Sequence, residues 1–510
     1  VAASGAARSR ETKLYARALG PFAYRPVALL EELEAFPSTG GVTGAGVPPE
    51  DPSEQVVLLD SAGGGPRLAE RSLLAWRPHA HLWSKNGHTV VSSRSGGRGW
   101  RTTIGPEDPF SALRGELARC KVSLRWLGGD LEEDLSWVGA YGLIAYDSAR
   151  AIEVLPDNNV DDLQIPDLDV IFPTRWVCFD HRRGRAVGVA DSIQGLEEIE
   201  EVVSASARAP RVRLEMEVAG HSTDASIRTE SNMQRDAFEA IVARGREYVW
   251  AGDVFQTNLS QRLEMSYEGE SSLLYRVLRT LNPSPFAGYM RLSGYELYSS
   301  SPERLVRLHG RVADTRPIAG TRRRGKDFAE DGLLADDLNL DPKERAEHIM
   351  LVDLERNDLG RVSEYGSVHV DELMVNERYS HVIHIVSNVT GILQKGKDAV
   401  DLVRAMFPGG TITGCPKVRC MEIIDELENV RRGAYTGSFG YFGYGGDTDM
   451  NIIIRTLVRV GDQTFVQAGG GVVADSVPEK EYMETLSKAE AVVQAVGEAT
   501  REHQKRTCGS

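Results

Sequence analysis

The chain has 510 residues, 41% hydrophobic and 26% charged, a globular balance in a length that calls for two or three packed units rather than one core. Its formal net charge of −15 argues against nucleic acid or an anionic membrane as partner, while leaving room for an anionic small molecule in a local basic pocket. The five cysteines (Cys120, Cys178, Cys415, Cys420 and Cys508) are scattered without C-x-x-C spacing, and there is neither an export signal nor a membrane-length apolar run, so a reduced, cytoplasmic protein without a zinc site is expected.

Taken in chain order, residues 38–54 and 92–107 are rich in Gly, Pro, Ser and charge and read as loops. Short strands are predicted at 55–59 and 89–93. Residues 136–146 mix glycines with aromatics, and 148–154 read as a further loop. Residues 176–180 and 186–189 form a predicted hairpin around the basic turn His181 to Arg185. Residues 204–229 alternate charge with small polar groups; 222–231 is the best linker candidate, giving a strand-rich unit over 1–215, a linker over 216–231, a second unit over 232–498 and a frayed tail over 499–510. Past Asn232 the spacing of Phe238, Ile241, Val242, Arg246 and Val249 predicts an amphipathic helix. Strands follow near 254–264, 286–300 and 303–308, helices at 343–353 and 397–406, strands at 435–444, 451–459 and 463–473, and a closing helix at 478–498. This mixed order predicts an α+β fold rather than a doubly wound nucleotide fold, and no phosphate-binding glycine motif lies between a strand and a helix.

Two segments repeat one pattern. Pro342 opens a helix on which Glu344 and Glu347 share a face, and Pro478 opens another on which Glu481 and Glu484 do the same, with Lys488 one turn further on. Each pair alone reads most simply as a solvated helix face. Aimed at one point, the four carboxylates would make a hard-oxygen site suited to magnesium. The run Gly469-Gly470-Gly471, at the end of a strand-like stretch and before the second helix, leaves N–H groups uncovered that can bind a carboxylate; a plain mobile turn is the alternative reading. Arg455 falls inside the predicted strand 452–457, where a lone charge needs a partner.

Several stretches together resemble the chorismate-utilising enzymes, which include the large subunits of anthranilate and aminodeoxychorismate synthases and the isochorismate and salicylate synthases. They are Pro317 to Arg322, Lys343 to Asp358, Tyr379 to His384, Pro408 to Lys417 and Asp475 to Pro478. The resemblance is dense from about 232 to 498 and weaker before 215. It implies two large, mostly antiparallel sheets packed as a sandwich with helices outside. It further implies Glu347 and Glu484 as principal Mg2+ ligands supported by Glu344 and Glu481, and Glu303 as the acid that expels the C4 hydroxyl of chorismate. His384 would assist the later loss of pyruvate. Arg455, Tyr435, Thr411 and Gly469 to Gly471 would grip the enolpyruvyl carboxylate, Gly320 and Thr321 the ring carboxylate, and Lys488 would moderate the acidic cluster.

Two positions bear on the branch of the family. Isochorismate and salicylate synthases carry a lysine base where this chain has Gln256, whose amide cannot take a proton at neutral pH, so ammonia rather than water is the expected nucleophile. Typical aminodeoxychorismate synthases carry a nucleophilic lysine where this chain has Ala319, which favours direct amination at C2 and anthranilate as product. Pro408 to Gly410, Gln256 to Leu259 and Asn282 to Phe286 pull toward aminodeoxychorismate synthases, and a product that stops at aminodeoxyisochorismate is a third outcome. No glutaminase nucleophile loop surrounds any cysteine, so the ammonia is expected from solution or from a separate glutamine amidotransferase subunit. Leu58, Leu59, Asp60 and Ser61, with Asn282, Pro283, Ser284 and Phe286, resemble the lining of a tryptophan effector pocket, altered here by Ala287; ordinary strand packing is the plainer reading of the same residues.

Overall fold

A computed structural model of the chain describes residues 10–19, 25–34, 51–61, 63, 70–94, 99–105, 108–127, 134–209, 227–378 and 382–508. Most of the predicted linker, residues 216–226, and the Tyr379-Ser380-His381 stretch lie outside the described residues. The architecture turns on two long strands, Arg71–Lys85 and Leu168–Asp180, which pair with each other along their whole length. Midway, Pro78 faces Pro173, the register slips between Pro78 and Ala80, and Arg77 has a φ of 55°. Neither proline can donate to the ladder, and the extra residue is a bulge, so both strands bend and each half serves a different sheet.

One sheet runs outward from the first half of Arg71–Lys85 through Val56–Asp60, Phe286–Arg291, Glu296–Ser301, Thr456–Val460, Gln463–Val472 and Gln256–Ser266. It extends the other way through Arg185–Ala190 and Arg10–Ala18 to Cys120–Trp126, the last pairing being parallel. The second sheet runs from Leu168–Asp180 through Gly139–Ile144, Ser438–Gly443, Thr448–Asn451, Arg304–His309 and Val312–Thr315 to Val382–Ile392, which Ile318–Arg323 and His369–Arg378 flank. Strands from before and after the linker thus join in both sheets, at Val56–Asp60 beside Phe286–Arg291 in one and at Gly139–Ile144 beside Ser438–Gly443 in the other.

Strand side chains alternate between faces, and the burial follows that period. Val57, Ala75, Trp176, Met290 and Leu297 from one sheet meet Tyr141, Ile171 and Phe439 from the other in the sandwich interior. Their neighbours Leu58, Leu74 and Trp76 point outward, against Leu29, Leu196, Leu274 and Val492 on helices Pro26–Glu34, Ile193–Arg208, Ser271–Leu281 and Pro478–Cys508. On the far side Leu82, Ile144 and Val306 meet Phe110, Val352 and Leu402 on helices Pro109–Arg119, Pro342–Gly360 and Ala399–Met406. The result is the α+β sandwich with outer helices.

Several sequence-based expectations change. Within 92–107, His88–Arg94 and Trp100–Gly105 pair as a hairpin instead of forming a loop. The stretch 286–300 is two strands joined by a turn. The closing helix does not fray at 499 but continues to Cys508, with Ala499 fully buried and Arg506 paired with Glu270. The end of the linker, Glu230–Ser231, is a short strand on Gln256–Ser266. Among the described residues no helix is long and apolar enough to cross a membrane.

Candidate active site

The two acidic helices begin as their prolines imply. The Asp341 carboxylate accepts from the amides of Lys343 (2.9 Å) and Glu344 (3.3 Å), capping the first helix with Pro342 in its opening turn. Burial, then the neighbouring Glu344, pushes the Glu347 carboxyl above its usual range; Glu484 adds to this, and Lys343 and Lys488 oppose it. Glu481 is raised by burial and by Glu484, against a hydrogen bond from Ser476. The Lys488 Nζ lies 2.8 Å from Glu484 Oε1 and donates to the Gly469 carbonyl at 2.9 Å, while Arg322 reaches Glu344 at 3.3 Å. The carboxylates of two distant segments therefore feel one another. Among the described residues no group of three or more acidic, histidine or cysteine side chains is placed to hold a metal ion by itself. The donor set is nonetheless hard carboxylate oxygen under mutual repulsion. It fits a divalent ion that takes the rest of its shell from waters and substrate oxygens.

The glycines make the space. The run Gly469-Gly470-Gly471 is the end of strand Gln463–Val472, within the stretch expected as strand, and pairs on one side with Asn258 to Ser260. Its missing side chains leave room for the groups beside it. A Cβ on Gly470 would stand 3.1 Å from Glu481 Oε2, and one on Gly471 only 2.0 Å from Gln256 Nε2. Gly320 is the extra residue of a bulge between Ala319 and Thr321, with φ 68°, and a Cβ there would meet Glu344 Oε2 at 2.8 Å. Gln256 is 3% exposed and its Oε1 has no hydrogen-bond partner, an acceptor held inside the site.

Glu303 follows strand Glu296–Ser301 and is buried; Thr411 Oγ1 donates to its Oε1 at 2.7 Å. Burial raises its carboxyl to about 7, against Thr411, Arg455 and Lys488, so near neutrality it holds a transferable proton. His384, on Val382–Ile392, is pushed by burial down to about 4 and is neutral. Its Nδ1 lies 3.1 Å from the Gly320 carbonyl and 3.0 Å from Thr321 Oγ1, so Nδ1 carries the hydrogen and Nε2 the lone pair. Arg455 does not lie in a strand: it occupies the corner between Thr448–Asn451 and Thr456–Val460 with a φ of 50°. It is half-buried beside Glu303 and forms no ion pair among the described residues, the setting of a guanidinium that takes a carboxylate from outside the chain. Tyr435 is buried, its hydroxyl pushed upward by burial.

Two groups escaped the sequence reading. Arg432 pairs with Glu428 (2.7 Å), both nearly unexposed, and donates to the carbonyls of Ile412 (3.1 Å) and Asn258 (2.7 Å), with its guanidinium over the rings of Tyr146 and Tyr435. It ties together the segments that bear Gln256, Thr411 and Tyr435. The i,i+4 spacing of Glu428 and Arg432 was the available signal, but the same spacing is common on exposed helices. The other is Glu355, buried on the helix of Glu344 and Glu347.

The candidate effector residues divide. Leu59, Asp60, Ser61 and Phe286 line a cavity of about 570 Å³ between the sheets, with Ala287, Trp137, Phe439 and Tyr441. Leu58 points to the outer helices, Asn282 donates to Ser300, and Pro283 and Ser284 do not line the cavity. Asp60 is already engaged by Tyr275 (2.8 Å) and Arg279 (2.5 Å).

Known proteins match this arrangement. The sequence profile of the chorismate binding enzymes matches residues 54–494. The chain is 42% identical over 449 residues to aminodeoxychorismate synthase component 1 of Bacillus subtilis, covering 86% of this chain and 91% of that one. It is 41% identical over 448 residues to anthranilate synthase component 1 of Aquifex aeolicus, covering 86% and 89%. Anthranilate synthase component I from Streptococcus pneumoniae superposes with a TM-score of 0.70 at 30% identity, covering 92% of this chain and 97% of that one.

Proposed function

The chain belongs to the chorismate binding enzyme family, and we propose that within it this protein is the synthase component of an anthranilate synthase, aminating chorismate at C2 with ammonia and then eliminating pyruvate. The observation that carries this reading is the neutral pair Gln256 and Ala319, both buried. Attack by water needs a base, and amination at C4 through a covalent adduct needs an amine; neither residue supplies one. Neutral ammonia needs no base, and the unpaired Gln256 Oε1 can accept one of its hydrogens.

In this mechanism Arg455 and Tyr435 hold the enolpyruvyl carboxylate, and Gly320 and Thr321 face the ring carboxylate. Glu303 gives its proton to the C4 hydroxyl, which leaves as water as that C–O bond breaks; both ring double bonds shift, ammonia bonds to C2, and the ammonium so formed sheds a proton to solvent. Thr411 then stabilises the carboxylate left on Glu303. His384, neutral and fixed through Nδ1, presents Nε2 to assist removal of the C2 proton. The electrons released make the ring aromatic and break the C3–O bond, so that the enolpyruvyl group leaves and is protonated to pyruvate. Magnesium held by Glu347 and Glu484, with Glu344 and Glu481 in support, would neutralise the ring carboxylate; Lys488 moderates the cluster.

Free ammonium is mostly protonated near neutrality, so a separate glutamine amidotransferase subunit is the proposed supplier; the "component 1" in the relatives' names supports a two-part enzyme. The B. subtilis relative supports a second reading, 4-amino-4-deoxychorismate synthase. The test of the nucleophile is turnover of chorismate with magnesium, with and without an ammonium salt. Turnover should depend on ammonium. Isochorismate or salicylate forming at a comparable rate without ammonium would overturn the choice of ammonia over water.

A further inference from the structure

The helix that carries Glu344 and Glu347 presents Glu355 two turns further along the same face, where its carboxyl is buried beneath the short turn Gly410–Ile412. A Cβ on Gly410 would stand 3.2 Å from Glu355 Oε1, so the turn lies directly on this carboxyl. On its other side Glu355 Oε2 lies 3.3 Å from Thr315 Oγ1. Thr315 has one hydroxyl hydrogen, and it is directed at the Leu305 carbonyl at 2.8 Å. That one hydrogen cannot also serve Glu355, so with the hydrogen on the shorter contact the longer one is left for Glu355 to donate across, as a protonated acid would. The charged groups around it agree. Lys417 is 2.6 Å from Asp358 and so is already paired, and Glu355 forms no ion pair among the described residues. Burial, Asp358 and Glu303 raise its carboxyl to about 8, against Lys417 and the Gly410 amide. The next residue of the turn, Thr411, donates to Glu303 at 2.7 Å.

We propose that Glu355 is a positioning residue for Glu303: as a neutral acid it pins Gly410 from below, and the pinned turn aims the Thr411 hydroxyl at the Glu303 carboxylate. The inference rests on the reading of Glu303 as the general acid. Gly410 and Thr411 are adjacent, so freeing the first lets the second drift. An ionised Glu355 would place an unpaired buried charge close to Glu303 and strengthen that acid's hold on its proton.

The test compares Glu355→Gln, which can still accept from Gly410 and donate to Thr315, with Glu355→Met, which fills the volume and makes neither bond. Glu355→Gln should stay within about threefold of the wild type. Glu355→Met should lose about tenfold in kcat, the size of one hydrogen bond to a charged group, with KM little changed. Its alkaline limb should also move to higher pH, because Thr411 no longer lowers the proton affinity of Glu303. Should Glu355→Met not fold, Thr315→Val removes the acceptor of the Glu355 proton and should shift kcat and the limb in the same directions. An infrared difference spectrum, wild type minus Glu355→Gln at pH 7, should show a protonated carboxyl band. Equal losses in the Gln and Met variants, an unmoved alkaline limb in the variant that folds, or absence of that band would each overturn the proposal. Glu303→Gln measured alongside separates the two readings: if it keeps full activity the general-acid reading fails, while the infrared band still reports on Glu355.

Discussion

Glu303 and His384 are displaced in opposite directions by one cause, since burial disfavours whichever form is charged. The carboxyl gains a proton it can give, and the imidazole loses one and can take it. The sign of the pH dependence follows. If Glu303 is the general acid proposed, its protonated form is the active one, and the rate per unit of free ammonia should be level in the acid range and fall as pH rises through about 7. Rates must be expressed per free ammonia, which itself increases with pH. Glu303→Gln should remove the limb and lower kcat by about 10²–10⁴-fold with the fold intact, as circular dichroism and the melting temperature would verify. A limb that survives the substitution would assign it to another group. These roles could be read from the sequence only through the family resemblance. A glutamate after Ser-Pro and a histidine between isoleucines are otherwise a turn residue and a core residue, and it is their burial, set by strands distant in sequence, that makes them chemical. Arg455 shows the same limit: an apolar run around it predicted a strand, whereas it sits in the left-handed region at a corner.

At the level of elements, the acidic helices were legible because their signals are local: a proline to open, and carboxylates three residues apart on one face. The partner of that pattern was not. Gly469 to Gly471 fall in the strand expected over 463–473, but nothing local shows that Gln256–Ser266 pairs with them or that Gln256 and the glutamates fill the space of a side chain there. The 92–107 region misled, its polar composition hiding a hairpin at the edge of the sheet. The convergence of the two helices carries a prediction. Activity should vanish in excess chelator and return with magnesium, and Glu347→Gln or Glu484→Gln should each weaken the magnesium response by about an order of magnitude or more while leaving the melting temperature close to the wild type. Isothermal titration of magnesium into the variants measures this directly; unchanged affinity in both would remove these carboxylates from the metal site.

The molecule as a whole is organised by the bend at Pro78 and Pro173, which lets two strands belong to both sheets and leaves a cavity between them. Arg304 lines that cavity and is the immediate neighbour of Glu303, so the cavity wall and the proposed acid share a stretch of backbone. A volume of about 570 Å³ with aromatic and charged walls suits an amino acid such as tryptophan, and calorimetry should detect its binding, weakened by Tyr441→Ala. Absence of binding would remove the effector role and leave the catalytic account standing. The central claim concerns which carbon receives nitrogen. Pure protein, chorismate, magnesium and a ¹⁵N-ammonium salt, with the product identified by mass spectrometry and NMR, decide it. The account predicts labelled anthranilate with an equivalent of pyruvate; 4-amino-4-deoxychorismate as the dominant product, or 2-amino-2-deoxyisochorismate accumulating without pyruvate, would contradict it.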